Sequence, residues 1–160
     1  DLYSRFLLQV LYVLQHAFAR VETFAFSTRL VRITDALTGD TFREALDALA
    51  RVEGGGWSGG TKIGECLESL RVGWPRLFDR RTAVIVLSDG WDTGDPAILG
   101  TALREISRRA GRVIWLNPLL GNPSYRPLTR GMEVALPHVD VFAPAHDLAS
   151  IERLAEHLSF

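Results

Sequence analysis

Residues 82–90 read TAVIVLSDG, and this stretch decides the fold class. Its apolar centre shows no alternation with polar residues, which is typical of a parallel strand covered on both faces. Asp89 and Gly90 then end the strand abruptly. Ligands of open α/β sheets bind outside the carboxyl ends of the strands, so the carboxylate of Asp89 is expected at a ligand-binding edge.

Apolar spacing and capping residues predict alternating helices and strands around this stretch. Helices are predicted at 2–18, 41–52, 63–72, 96–109 and 128–136, and from residue 147 onward. Strands are predicted at 113–116 and 139–142, and an antiparallel hairpin at 21–27 and 30–34. Because parallel neighbours require crossover connections, we expect an α/β fold with a doubly wound, mostly parallel sheet and one antiparallel edge strand.

Length and charge limit the classes of function. The chain has 160 residues, which fits one domain. Lys and Arg total 18 against 19 for Asp and Glu, so the net charge gives no general attraction to nucleic acid or anionic lipid. No apolar run approaches the roughly 18 residues that a membrane span needs. Cys66 is the only cysteine, which excludes an internal disulfide and favours a cytoplasmic location.

Two oxygen-bearing side chains are candidate metal ligands. Asp89 offers a carboxylate after its strand, and Thr61 offers a hydroxyl at the start of the helix predicted at 63–72. No histidine or cysteine competes nearby, so a bound ion would be Mg²⁺, Mn²⁺ or Ca²⁺ rather than zinc. The alternative is that Asp89 only turns the chain and Thr61 only caps the helix.

The glycine-rich loop GGGWSGGT at 54–61 and the motif DGWD at 89–92 are expected to face a partner protein. Trp57 and Trp91 either act as exposed aromatic anchors or fill the core, and the first interpretation is favoured, whereas Trp115 is expected in the core. The residues predicted to contact the partner are Trp57, Ser58, Gly59, Gly60, Trp91 and Asp92. Arg126 and Arg130 either pair with a partner's carboxylates or merely solvate the surface, and the second interpretation is favoured.

Three motifs together resemble the CoxE-like branch of von Willebrand factor type A (vWA) proteins. They are WSGGTKIG at 57–64, LSDGWDTGD at 87–95 and WLNPL at 115–119. The similarity continues through Tyr125, Pro127, Gly131, Met132, Leu136, Pro137, Asp140 and His146, so it covers nearly the whole chain.

The resemblance implies a metal-ion-dependent adhesion site, in which three loops surround Mg²⁺ and an acidic side chain of the partner completes its coordination. Thr61 and Asp89 match the second and third loops. The first loop, Asp-x-Ser-x-Ser, and the central strand before it match nothing here and are expected upstream of Asp1. Residues 1–160 would then form a single vWA-like domain that is incomplete at its N-terminus, with weak or absent metal binding and with exposed strand edges that allow self-association.

The resemblance further implies a non-catalytic adaptor. Relatives are associated with AAA+ ATPases of the MoxR type and, in one branch, with maturation of molybdenum-containing carbon monoxide dehydrogenase. The client would be bound through an acidic side chain. Two alternatives remain: a Mg²⁺-dependent phosphoryl-transfer enzyme that uses Asp89 or Asp92, and a structural interaction domain without metal. The enzyme would need a nucleophilic Asp-x-Asp, which the sequence lacks.

Overall fold

A computed structural model describes residues 2–52, 60–145, 147–154 and 157–158. The chain divides into two compact units, residues 1–59 and residues 60–160. Each unit has its own hydrogen-bonded sheet.

The first unit combines two helices with a hairpin. Its elements are α1 (Leu2–Ala17), β1 (Phe24–Phe26), β2 (Leu30–Arg32), a 3₁₀ turn (Asp35–Leu37) and α2 (Phe42–Ala50). Strands β1 and β2 pair antiparallel with Phe24 opposite Arg32, as the sequence predicts. Thr41 caps α2, because its side chain accepts a hydrogen bond from the backbone N–H of Glu44.

A small apolar core holds the first unit together. Ile33, Leu37 and Ala45 form its buried centre. Partly buried apolar residues from both helices and both strands pack against that centre. These residues are Leu11, Tyr12, Ala25, Val31, Leu49 and Val52.

The second unit contains a parallel sheet and four helices among its described residues. Its elements are α3 (Ile63–Gly73), a 3₁₀ turn (Pro75–Leu77), β3 (Ala83–Leu87), α4 (Pro96–Arg109), β4 (Arg112–Asn117), α5 (Arg130–Ala135), a 3₁₀ turn (Leu136–His138), β5 (Val141–Pro144) and α6 (Leu148–Leu154). The strand order is β3-β4-β5, and both pairings are parallel. The α/β class and the parallel sheet are therefore confirmed.

Burial identifies β4 as the centre of this sheet. Every residue from Val113 to Asn117 is buried, and successive side chains of a strand point to opposite faces, so both faces of β4 are covered. In β3 only Val86 is buried, and the other four residues are half-buried. The expectation that β3 is fully covered on both faces is therefore wrong for the described part of the chain, where β4 is the covered strand and β3 pairs with a single neighbour.

Two further details differ from the sequence-based expectation. Among the described residues, the antiparallel strands form a two-stranded sheet of their own instead of pairing with the edge of the parallel one. Strand β5 begins at Val141 rather than at residue 139. Before it, Asp140 already pairs with Val113 through its backbone N–H and its carboxylate, at 2.9 and 2.7 Å. No described helix combines the length and the apolar character that crossing a membrane requires.

Candidate functional site

Asp89 lies two residues beyond the last residue of β3, at the carboxyl end of the parallel sheet. Its Oδ1 accepts a hydrogen bond from the backbone N–H of Trp91 at 2.9 Å. Gly90 between them has φ +78°, a backbone conformation that favours glycine. The half-buried Asp89 is thus held in a tight turn at the edge where ligands of such sheets bind.

The turn at Asp89 is supported from β4. The indole N–H of Trp115 donates to the backbone carbonyl of Ser88 at 2.8 Å. The amide of Asn117, which is fully buried, lies 3.4 Å from the backbone carbonyl of Asp89 and 2.9 Å from the hydroxyl of Tyr125. Sequence reasoning missed Asn117 as a supporting residue, although a lone amide at the end of the apolar stretch VIWL was an available signal.

Thr61 lies in the short segment before α3. Its backbone carbonyl accepts two hydrogen bonds from Thr93, one from the backbone N–H at 2.9 Å and one from the hydroxyl at 3.1 Å. These bonds join the loop before α3 to the loop after β3. The loop that carries Thr61 is therefore hydrogen-bonded to the loop that contains Asp89, and the metal site itself stays a prediction.

The alternative interpretation of Thr61 as a helix cap is not observed. Helix α3 begins at Ile63, and the capping position is Lys62, whose side chain makes no capping hydrogen bond. The hydroxyl of Thr61 has no hydrogen-bond partner within the described residues.

Asp92 performs the capping instead. Its Oδ1 accepts hydrogen bonds from the backbone N–H groups of Ile63 at 3.0 Å and Gly94 at 3.1 Å. A carboxylate at this point satisfies a free N–H of the helix and interacts favourably with its dipole. The other oxygen, Oδ2, is shielded from solvent and has no hydrogen-bond partner among the described residues, and the same is true of Glu65 Oε2. Asp92 therefore turns its carboxylate inward, and its predicted contact with a partner stays a prediction.

The tryptophans separate into the expected environments where they are described. Trp115 is fully buried, which confirms its place in the core, and Trp91 is 67% exposed beside Asp89. Gly60 is exposed and has φ +85°. The predicted partner contacts Trp57, Ser58 and Gly59 lie outside the described residues, as does His146.

The donor atoms at this edge fit a hard divalent cation in kind. The hydroxyl of Thr61 and the free carboxylate oxygen of Asp89 are the oxygen ligands that Mg²⁺ prefers. Their number is small: no group of three or more His, Cys, Asp or Glu side chains that could hold a metal occurs among the described residues. An ion held here would take most of its coordination from water or from a partner.

Comparison with known proteins addresses the family. The family model described as "VWA domain containing CoxE-like protein" matches residues 1–151. Searches of curated proteins and of solved structures find no match. Since the family match spans nearly the whole sequence and the fold is α/β with a parallel sheet, the chain belongs to the CoxE-like proteins that contain a vWA domain.

Proposed function

We propose that this domain is a non-catalytic protein-binding adaptor that uses a metal ion to bind an acidic side chain of its partner. The observation that carries the proposal is that two loops are hydrogen-bonded to each other at the carboxyl end of the sheet. Thr93 donates to the carbonyl of Thr61, and Asp92 accepts from the backbone N–H of Ile63. This junction leaves the Thr61 hydroxyl and the Asp89 carboxylate on adjacent segments.

In this proposal Thr61 and Asp89 hold Mg²⁺, with Mn²⁺ or Ca²⁺ as substitutes. The ion supplies positive charge at an edge that otherwise presents the carboxylate of Asp89, and it attracts the partner's carboxylate. Because the chain offers few ligands of its own, the metal binds weakly until the partner's oxygen is added.

Family membership supports the choice of partners. The resemblance noted above associates such proteins with MoxR-type AAA+ ATPases and with maturation of molybdenum-containing carbon monoxide dehydrogenase. We propose that the ATPase supplies work and that this domain recognises the client, in the cytoplasm. The inward-facing carboxylate of Asp92 favours binding over catalysis, because that group already satisfies two backbone N–H groups.

The test measures binding of the intact protein to its MoxR-type ATPase and to the metalloenzyme client by calorimetry, in Mg²⁺ and in EDTA. We expect EDTA, Asp89→Ala and Thr61→Ala each to weaken binding about tenfold or more, since each removes the ion or one of its two protein ligands and with it the attraction for the partner's carboxylate. Asp95→Ala is the matched control, because Asp95 is an exposed aspartate in the same loop that caps α4 and is not a proposed metal ligand. Equal affinity in EDTA and in the Asp89 variant would contradict the proposal.

A phosphatase assay with Mg²⁺ separates the adaptor from the enzyme alternative. Turnover of a generic phosphomonoester that is lost in Asp89→Asn would support the enzyme. The adaptor predicts no turnover in either protein.

A further inference from the structure

Residues 126–130, RPLTR, form an exposed segment with a regular pattern. Arg126, Leu128 and Arg130 are exposed, whereas Pro127 and Thr129 between them are half-buried. Leu128 is 82% exposed, the largest fraction for any large apolar side chain in the described part of the protein. An apolar side chain in this position, with a cation on each side, has the composition of a contact surface rather than of a solvated loop.

The segment is held in place at its inner positions. The hydroxyl of Thr129 accepts a hydrogen bond from the backbone N–H of Met132 at 3.2 Å and so caps α5. Thr129 also lies against Gly90, because a Cβ added to Gly90 would be 3.1 Å from the hydroxyl oxygen of Thr129. A Cβ on Gly131 would collide with the carbonyl oxygen of Gly90. The segment is therefore packed closely against the turn that follows β3.

This packing brings a second exposed apolar side chain to the segment. Trp91 follows Gly90 in the chain, and Leu128 precedes Thr129, so the Gly90–Thr129 contact places the two on adjoining stretches of backbone. Trp91 is 67% exposed. Isolated exposed apolar residues are ordinary, but two of the most exposed ones on adjoining stretches of backbone indicate a docking surface.

The charges at this surface identify the kind of partner. The guanidinium of Arg126 donates to the carbonyls of Pro123 and Tyr125, at 3.2 and 3.0 Å, and to no described carboxylate. Arg130 has no hydrogen bond or ion pair with any described residue. Arginine side chains pair well with carboxylates at interfaces, so the complementary surface is acidic.

We propose that residues 126–130 and Trp91 bind an acidic segment of a partner protein that also carries an apolar side chain. Arg126 and Arg130 pair with its carboxylates, and Leu128 and Trp91 cover the apolar side chain. The proposal rests on the adaptor function above and adds contacts that do not involve the metal ligands.

The test uses an array of immobilised ten-residue peptides in which glutamate, aspartate, leucine and phenylalanine are permuted. Matched arrays replace every acid with its amide or every apolar residue with glycine. The full chain is applied in EDTA, as are the variants Leu128→Ser and Arg126→Glu/Arg130→Glu. Val72→Ser and Arg81→Glu are the controls, because Val72 is 63% exposed on α3 and Arg81 is exposed before β3.

We expect peptides with both acids and apolar residues to be retained and both matched arrays to lose the signal. Leu128→Ser and the double arginine variant should each lower retention about fivefold or more, and the controls should leave it unchanged. Backbone amides 126–130 and the indole N–H of Trp91 should shift in NMR spectra on addition of a retained peptide.

Three outcomes would overturn the inference. The chain could retain no peptide, the Leu128 and arginine variants could each retain peptides as well as the parent chain does, or the chain could prefer a single-stranded oligonucleotide over every peptide. Asp89→Ala separates this result from the adaptor proposal. Suppose that this variant retains peptides in EDTA as well as the parent chain does, and that binding of the intact protein to its partner is the same in Mg²⁺ and in EDTA. The metal-assisted function would then be wrong, and the binding surface at residues 126–130 would still be supported.

Discussion

At the scale of single residues, Asp92 joins two loops that are 29 positions apart in the sequence. Its Oδ1 serves the first N–H of α3 and the N–H of Gly94 in its own loop. Thr93 beside it binds the carbonyl of Thr61. Asp92 and Thr93, neither of which is a proposed metal ligand, therefore join the segments that carry Thr61 and Asp89.

Asp92→Ala is expected to lower the free energy of unfolding by about 1–2 kcal/mol, because two backbone N–H groups lose their acceptor. Asp92→Asn keeps an acceptor oxygen and should cost less. Urea unfolding followed by circular dichroism measures the loss, and hydrogen exchange at Ile63 and Gly94 locates it. The control is Asp95→Ala, which removes the acceptor for Ala97 at 2.9 Å and should speed exchange at Ala97 only. Unchanged exchange at Ile63 in Asp92→Ala would contradict the assigned role.

Gly90 gives a second prediction at this scale. Its φ of +78° disfavours any Cβ, and an added Cβ would lie 2.5 Å from Cγ of Met132. Gly90→Ala should destabilise the protein by about 1–3 kcal/mol. Gly73→Ala is the matched control, because nothing lies within 4 Å of its Cβ position at the end of α3. The control should be neutral or stabilising by at most about 1 kcal/mol. Equal melting temperatures for the two variants would refute the packing argument.

At the scale of elements, local signals predicted most helices and strands. Thr41 and Asp95 mark the starts of α2 and α4, because each side chain accepts a hydrogen bond from a backbone N–H two or three residues later. Such contacts can be read from spacing alone. The position of Asp89 could be predicted from the strand that precedes it. The capping of α3 by Asp92 and the support from Asn117 could not be predicted, because both are contacts between segments that are distant in the sequence. The separation of the two sheets was equally beyond local signals.

The hairpin β1–β2 is flanked by an ion pair that makes stability depend on pH. Arg32 contacts Glu22 with Nε to Oε2 at 2.7 Å, and Thr34 donates to the same carboxylate at 2.8 Å. The hydrogen bond from Arg32 holds the pKa of Glu22 below its ordinary value of 4.5, against the opposing effect of burial, and that from Thr34 lowers it further. The unfolded chain therefore takes up a proton at higher pH than the folded one.

It follows that Glu22 contributes stability above about pH 4.5 and that this contribution is lost as the pH falls through the lower pKa of the folded state. The contribution is small, because both side chains are 34% exposed. Glu22→Gln should lower the unfolding free energy at pH 7 and approach the parent protein near pH 3. Denaturant titrations between pH 3 and 7 test this, with Glu133→Gln on α5 as an exposed control. A difference that stays constant with pH would exclude the linkage.

At the scale of the whole molecule, β3 is an outer strand of the parallel sheet and pairs only with β4 among the described residues. The carbonyl of Thr82 and the N–H of Ser88 both bond to the β4 side. Backbone groups alternate along a strand, so those of Val84 and Val86 also face β4, whereas those of Ala83, Ile85 and Leu87 face the other way. A net charge of −1 offers little repulsion between copies of the chain.

We therefore expect copies to associate through the outer edge of β3 as concentration rises. Sedimentation velocity over a hundredfold range of concentration should show a shift toward dimer. Hydrogen exchange at Ala83, Ile85 and Leu87 should slow over the same range, because their N–H groups gain partners only in the associated form. Val84 and Val86 are the internal control, since their N–H groups already bond to β4 at every concentration. Association with no change in exchange at the three outward N–H groups would place the contact elsewhere, and slow exchange of those groups at all concentrations would show that the edge is already covered.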